Sequence, residues 1–212
     1  MDGIVEVLGV NTASMNEEQI IQAAQKGDID AFNQLVVKYQ QLAYNVAYRI
    51  LGNPDRAADA TQDGFLRGYR ALYQFRGGSF KTWILRIVTN CCYDQLRVLK
   101  RRPSTPIDDI LEDDEHSTLL KDRAESPEGH AERMELGDAL QQSLEILPEE
   151  QRTVLVLYHY ADMSHESIAD AMGIAVGTAR SRLHRAHEAL RAALEADARP
   201  ATPGHTTHEV AP

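Results

Sequence analysis

Residues 28–54 constrain the fold more than any other stretch. Behind the cap-type residue Asp28, the apolar positions Ile29, Phe32, Leu35, Val36, Tyr39, Leu42, Ala43, Val46 and Ile50 recur mostly at steps of three and four. That period lines one stripe of an α-helix, and it conflicts with the alternation of a half-buried strand. Gly52 can supply the left-handed stop. Asn53-Pro54 then reads as a cap followed by proline at the first helical position, where its missing N–H costs nothing. A long amphipathic helix running straight into another needs further helices to cover its apolar stripe.

The remaining punctuation is helical too. Asn16 and Gln19 have the spacing of a capping box, and Gly27 closes that first helix. The helix opened by Pro54 should run to about Phe75. Arg76-Gly77-Gly78 is a loop, Ser79 caps a fourth helix to about Arg102, and Pro103 stops it. Residues 103–126 hold Pro103, Pro106 and the acidic run Asp108 to Glu115, a composition that buries little. Ser126-Pro127 restarts a helix and Leu147-Pro148 breaks and restarts it. Two short helices follow, then a long one from about Thr178 to Asp197. The best strand candidate, Thr153 to Tyr158, sits between helix signals and fits a buried helix. No internal repeat is evident. The expected fold is all-α, with two small helical domains at 16–102 and 127–197 joined by an acidic flexible linker at 103–126. Disordered ends are expected at 1–15 and 198–212.

Composition narrows the function classes. The 212 residues are 43% hydrophobic and 25% charged, which excludes a wholly disordered chain. No apolar run reaches the ~18 residues that span a bilayer, so no membrane insertion is expected. Met1 to Met15 carries acids rather than a basic leader region, and a cytoplasmic location is the expectation. Cys91 and Cys92 are adjacent, so no disulfide framework is expected, and burial in a helix is favoured over a redox role. No Gly-rich phosphate loop, zincin pattern or nucleophile elbow is present; no catalytic residue, cofactor or metal site is assigned. His205 and His208 read as part of a solvated tail.

The net charge of -10 argues against a nucleic-acid binder only when taken whole. Residues 67–102 carry nine basic side chains and one acid, Asp94, whereas residues 103–150 are net -12. A basic block beside an acidic one is a plausible phosphate-facing surface, although a solvated helix face has the same composition.

Residues 164–186 have the form of a helix-turn-helix. Ile168, Ala169 and Met172 face inward from a short first helix, Gly173 makes the turn, and Ile174 and Val176 plug it. Thr178 is placed to cap the second helix. Ala179, Leu183, Ala186 and Leu190 form that helix's buried stripe. The opposite face carries Arg180, Ser181, His184, Arg185 and Glu188, and the first four of these would enter a major groove. The competing reading is an ordinary helical hairpin with a solvated arginine face.

A second constellation runs from Phe75 through Arg76, Phe80, Lys81, Trp83 and Arg86 to Asn90, and its helix ends in Lys100-Arg101-Arg102. Rings interleaved with cations suit unstacked bases. Asn90 lies about two turns past Trp83, on the same face. On pattern alone, Trp83, Ile84 and Ile87 are better read as core.

Taken in order, Asp59-Ala60-Thr61-Gln62-Asp63-Gly64-Phe65, Phe75-Arg76-Gly77, Thr82 to Ile87, Asn90, Leu147-Pro148 and Gly177 to Leu183 resemble an extracytoplasmic-function sigma factor of RNA polymerase. The resemblance covers roughly 16–102 and 130–195. It implies that Asp59, Gln62, Asp63, Phe65 and Leu66 dock on the clamp of the core polymerase's largest subunit. It implies -10 DNA binding by Phe75, Arg76, Phe80, Lys81, Trp83, Arg86, Asn90, Arg97, Lys100, Arg101 and Arg102. A non-template base would be flipped against the Phe75–Phe80 loop and Asn90. It implies -35 DNA binding by Thr178, Arg180, Ser181, Arg182, His184 and Arg185. The implied partners are core RNA polymerase, promoter DNA and an anti-sigma factor, with the free protein a monomer. A stand-alone helix-turn-helix regulator is the alternative. It would explain 164–186 but neither the aromatic-basic helix nor the acidic linker.

Overall fold

The structure is a computed structural model that describes residues 16–101, 137 and 139–197. The expectations placed on 1–15, Arg102, the linker 103–126, the Ser126-Pro127 restart and the tail 198–212 lie outside the described residues. The described residues form helices and turns, without a strand among them.

The N-terminal helices are α1 (Glu17–Gln25), α2 (Ile29–Leu51), α3 (Pro54–Ala71) and α4 (Phe80–Arg101), with a 3-10 turn at Leu72–Gln74 ahead of α4. Their boundaries follow the caps. The Gln19 side chain accepts from the Asn16 N–H at 3.1 Å. Asp28 accepts from the Ala31 N–H and Asn53 from the Arg56 N–H, both at 3.0 Å. Gly52 is left-handed with φ 68°. The Ser79 hydroxyl accepts from the Thr82 N–H at 3.2 Å, which is why the glycine loop hands over cleanly to α4.

Leu35, Val46 and Ile50 of α2 and Phe80, Ile84, Leu85 and Val88 of α4 are fully enclosed. Between them runs α3, whose buried positions are mostly small: Ala57, Ala60, Thr61, Gly64 and Gly68, with Phe65 the one large side chain. Small residues at steps of three and four let two helices approach until their backbones nearly touch. A Cβ at position 64 would lie 2.5 Å from Val88 Cγ2, so only glycine fits there without movement.

The C-terminal residues begin with a helical stretch at 139–145. Then come α5 (Glu149–His159), α6 (His165–Met172) and α7 (Val176–Asp197). The strand candidate Thr153–Tyr158 lies inside α5, whose Thr153, Val154, Leu155, Val156 and Leu157 are buried. Arg152 Nη2 donates to the carbonyls of Glu145 (3.3 Å) and Leu147 (3.2 Å), which ties the turn at Pro148 to α5. Ser164 caps α6 through the Ser167 N–H at 3.2 Å. The turn after α6 uses Gly173 at φ 64°, and the Ile174 N–H closes on the Ala169 carbonyl at 3.0 Å. The final helix starts two residues earlier than its sequence signals suggest. The amides of Thr178 and Ala179 bond to the Ala175 carbonyl at 2.9 and 3.1 Å, so Thr178 lies inside the first turn and does not cap it. Ala179, Leu183 and Ala186 are buried, as the stripe requires, and α7 packs on α5.

Candidate nucleic-acid interface

On α7, Arg180, His184 and Arg185 are exposed and Ser181 is half-buried. Ser181 donates its hydroxyl to the Thr178 carbonyl at 3.0 Å. Arg180 lies 3.4 Å from Glu166, with both side chains more than 60% exposed, a pairing too weak to hold the guanidinium from a stronger anion. His184 sits 3.3 Å from Glu188 and is paired only when protonated.

Arg182 departs from the expected DNA-facing set. Two residues beyond Arg180 is about 200° around the helix, which turns Arg182 toward α5. There Nη2 meets Glu150 Oε2 at 2.7 Å with the arginine side chain only 19% exposed. Close by, His159 and His187 bring their Nε2 atoms to 2.7 Å across α5 and α7. Burial, then the charges of His159, His184 and Arg191, hold the His187 imidazole below its ordinary value of 6.5. No sequence signal pairs two histidines 28 residues apart.

On α4, Trp83, Arg86, Asn90, Arg97 and Arg101 fall within about 60° of one another at about 100° per residue, forming one lengthwise stripe. Arg86, Asn90, Arg97, Lys100 and Arg101 are exposed, and Trp83 and Lys81 are half-buried. Arg97 shares Asp94 with Arg67, at 3.2 and 2.8 Å.

The aromatic part of this expectation needs correction. Phe80 is fully buried and Phe75 is 8% exposed, so neither offers a face for stacking. They pack with each other at 5.9 Å between ring centroids and with Trp83 at 5.4 and 5.5 Å, and Phe80 also meets Tyr39 at 5.6 Å. Phe75 and Phe80 bracket the loop 76–79 in sequence, so both of its ends are held by one aromatic cluster. Trp83 is the ring of the three that keeps an accessible part.

The docking set divides in the same way. Asp59, Gln62, Asp63 and Leu66 recur at steps of three and four and are exposed on α3, Leu66 by 49%. Phe65 lies about 60° beyond the edge of that arc and is buried, so it supports the face without being part of it.

Cys91 and Cys92 are free and buried in α4. Burial raises the Cys91 thiol and pushes that of Cys92 up to about 12, which leaves no thiolate at neutral pH. The described residues hold no group of three metal-type ligands, and none of their helices is long and apolar enough to cross a membrane.

Comparison with known proteins matches this arrangement. Residues 35–102 match Sigma-70 region 2, and residues 137–190 match Sigma-70 region 4. The RNA polymerase sigma-H factor of Pseudomonas aeruginosa is 39% identical over 184 residues, spanning 84% of this chain and 94% of the relative. The ECF RNA polymerase sigma factor SigW of Bacillus subtilis is 35% identical over 178 residues, spanning 82% and 94%. The structure of CnrH in complex with the cytosolic domain of CnrY aligns at TM-score 0.63 and 25% identity, covering 85% of this chain and 98% of that one. A sigma factor RpoE bound to the anti-sigma factor NepR, from Bartonella quintana, shares the fold at TM-score 0.57 and 24% identity, covering 78% and 98%.

A protein of two helical modules, one matching region 2 and one region 4, is a transcription initiation factor that works with RNA polymerase. The chain belongs to the extracytoplasmic-function family of RNA polymerase sigma factors.

Proposed function

We propose that the two modules divide promoter recognition between them. Region 16–102 docks on the clamp of the largest polymerase subunit through Asp59, Gln62, Asp63 and Leu66, and it opens the -10 element along the α4 stripe. Region 127–197 reads the -35 element as duplex through Arg180, Ser181, His184 and Arg185. The acidic segment 103–126 links them.

The observation that carries this reading is the α4 stripe. On it Trp83, an asparagine and a row of arginines share a face, and it lies in the most basic part of the chain. Arginines neutralise phosphates along a strand, and an asparagine amide can read a base edge. A flipped base would be received by the 76–78 loop, whose ends Phe75 and Phe80 anchor, together with Asn90 of α4. Flipping costs a few kcal/mol, to be offset by contacts made there. The protein acts by binding and carries no catalytic group of its own. As a polymerase factor it works in the cytoplasm, as a monomer until it meets core enzyme. An anti-sigma factor is a fitting partner, given the complex that RpoE forms with the anti-sigma factor NepR.

In vitro transcription tests the division of labour. Core polymerase plus this protein should transcribe a cognate promoter, and scrambling either the -10 or the -35 element should abolish output. Output indifferent to the -35 sequence would refute the α7 assignment. Output indifferent to the -10 sequence would refute the α4 assignment.

A further inference from the structure

Gln25 closes α1, yet its side chain holds a segment about fifty residues away. Its Nε2 donates to the carbonyl of Leu72 at 3.1 Å and to that of Phe75 at 2.8 Å. The two acceptors bracket the 3-10 turn: the Leu72 carbonyl opens it and also takes the Phe75 N–H at 3.0 Å, and the Phe75 carbonyl follows its last residue. The amide nitrogen has two hydrogens, and each has an acceptor. Two glycines follow shortly beyond this strap. Gly77 and Gly78 have φ of 101° and 88° and no side chains to anchor them.

Across from the loop, α1 forms the other side of an open groove of about 600 Å³, lined by Gln22 and Gln25 of α1 and by Arg76, Gly77 and Gly78, among others. That volume falls in the range of clefts that hold small organic ligands, about 300–1,000 Å³. Its walls combine amide side chains and glycine backbone, which offer donors and acceptors to the edge of a flat heterocycle, with the apolar Ile21 and Phe75, the Arg76 guanidinium and the carboxylates of Glu17 and Glu18, the first of which is held by Lys38 and Tyr39.

Resting on the reading that the 75–80 loop receives a flipped base, we infer that Gln25 is a positioning residue for base capture, and that α1 is the second wall of the base's seat. A base leaves the stack only if its receiving site is already shaped, because ordering the site at that moment weakens the net binding of the base. Phe75 and Phe80, at the two ends of the loop, pack on each other and on Trp83. Gln25 fixes its entry from the side, setting where the two glycines begin. The strap thus couples α1, which has no place in the -10 residue set, to the choice of base.

Two variants test this in holoenzyme. Gln25→Glu keeps length and shape but removes both donors; Gln25→Ala removes the strap without adding charge. Arg76→Ala and Asn90→Ala run beside them as probes of the underlying reading. Each protein is combined with core polymerase on a promoter fragment carrying a fluorescent base analogue in the -10 non-template strand, with single-base substitutions along that strand. Both Gln25 variants should assemble with core as the parent does, lower open-complex yield roughly tenfold, and lose discrimination at one non-template position. If Arg76→Ala and Asn90→Ala keep parental yield and base preference, base capture by the loop is itself refuted. If those two are defective while the Gln25 variants keep parental yield and preference, the Gln25 inference alone is refuted. Core assembly, thermal midpoint and melting falling together in the Gln25 variants would mark a folding role and overturn it as well.

Discussion

Replacing Gly64 with alanine should loosen the α3–α4 interface more than it stiffens α3. The new Cβ would lie 2.5 Å from Val88 Cγ2 and 3.2 Å from Val88 Cα. Val88 is fully buried and β-branched, with one dominant rotamer in a helix, so its methyl groups have nowhere to turn. The second of the two atoms belongs to the backbone, so the helices themselves must separate. Alanine gains about 1 kcal/mol over glycine in a helix interior. Overpacking a tight core typically costs about 1–3 kcal/mol, and a clash that reaches backbone belongs in the upper half of that range. The balance is a net loss of about 1–2 kcal/mol, or roughly 5–15 °C in the melting midpoint of a unit this size. Gly68→Ala is the internal control. Its Cβ would meet the terminal Cδ1 of Ile84 at 2.7 Å, an atom on a flexible end that can move aside. Thermal unfolding followed by helical circular dichroism decides between them. Combining Gly64→Ala with Val88→Ala should also prove non-additive by about 1 kcal/mol, since the second change removes the atom struck by the first. A Gly64→Ala protein melting at or above the parent, or Gly68→Ala proving the more damaging, would refute close packing as the reason for glycine here.

Arg180→Ala and Arg185→Ala should each weaken -35-dependent promoter binding roughly tenfold, the scale of a lost base or phosphate contact, and unchanged binding would remove them from the readout set. Arg182→Ala should instead lower the thermal midpoint through loss of the Glu150 pair, with a smaller effect on -35 binding; the opposite ranking in a promoter titration would return it to the DNA face. Asn90→Ala should impair open-complex formation more than core binding, and equal loss of both would make it a packing residue. His187 binds its proton more weakly folded than unfolded, so its contribution to stability is present above about pH 6.5 and is lost as pH falls below that value. His187→Gln should therefore flatten the acid decline of the melting midpoint, and an unchanged slope would contradict burial as the cause.

The helix boundaries were largely legible because caps are local. Asp28, Asn53 and Ser79 each satisfy an amide three residues away, and Gly52 and Gly173 take up the positive φ that their turns demand. The start of α7 is less legible, because Thr178 looks like a cap while the amides of Thr178 and Ala179 are taken by the Ala175 carbonyl, a backbone group that no sequence distinguishes. Exposure was harder to read. Phe65, Phe75 and Phe80 lie among functional-looking polar residues, yet for Phe75 and Phe80 burial depends on Tyr39 and Trp83 meeting them in space. Arg182 and Arg180 are the same residue type two positions apart; helix phase already sets them on different faces, and Glu150 on α5 supplies the partner that holds Arg182 there. Gln25 gave no signal at all, because its acceptors are backbone carbonyls 47 and 50 residues on.

The central claim is that the two modules act as a polymerase factor. Purified protein passed over a sizing column with bacterial core RNA polymerase, beside a sample with promoter duplex alone, tests it most directly. Co-elution with core, and little binding to duplex without it, is the expected result. Tight binding to duplex alone, with no association with core, would contradict it and make the chain a stand-alone DNA-binding regulator.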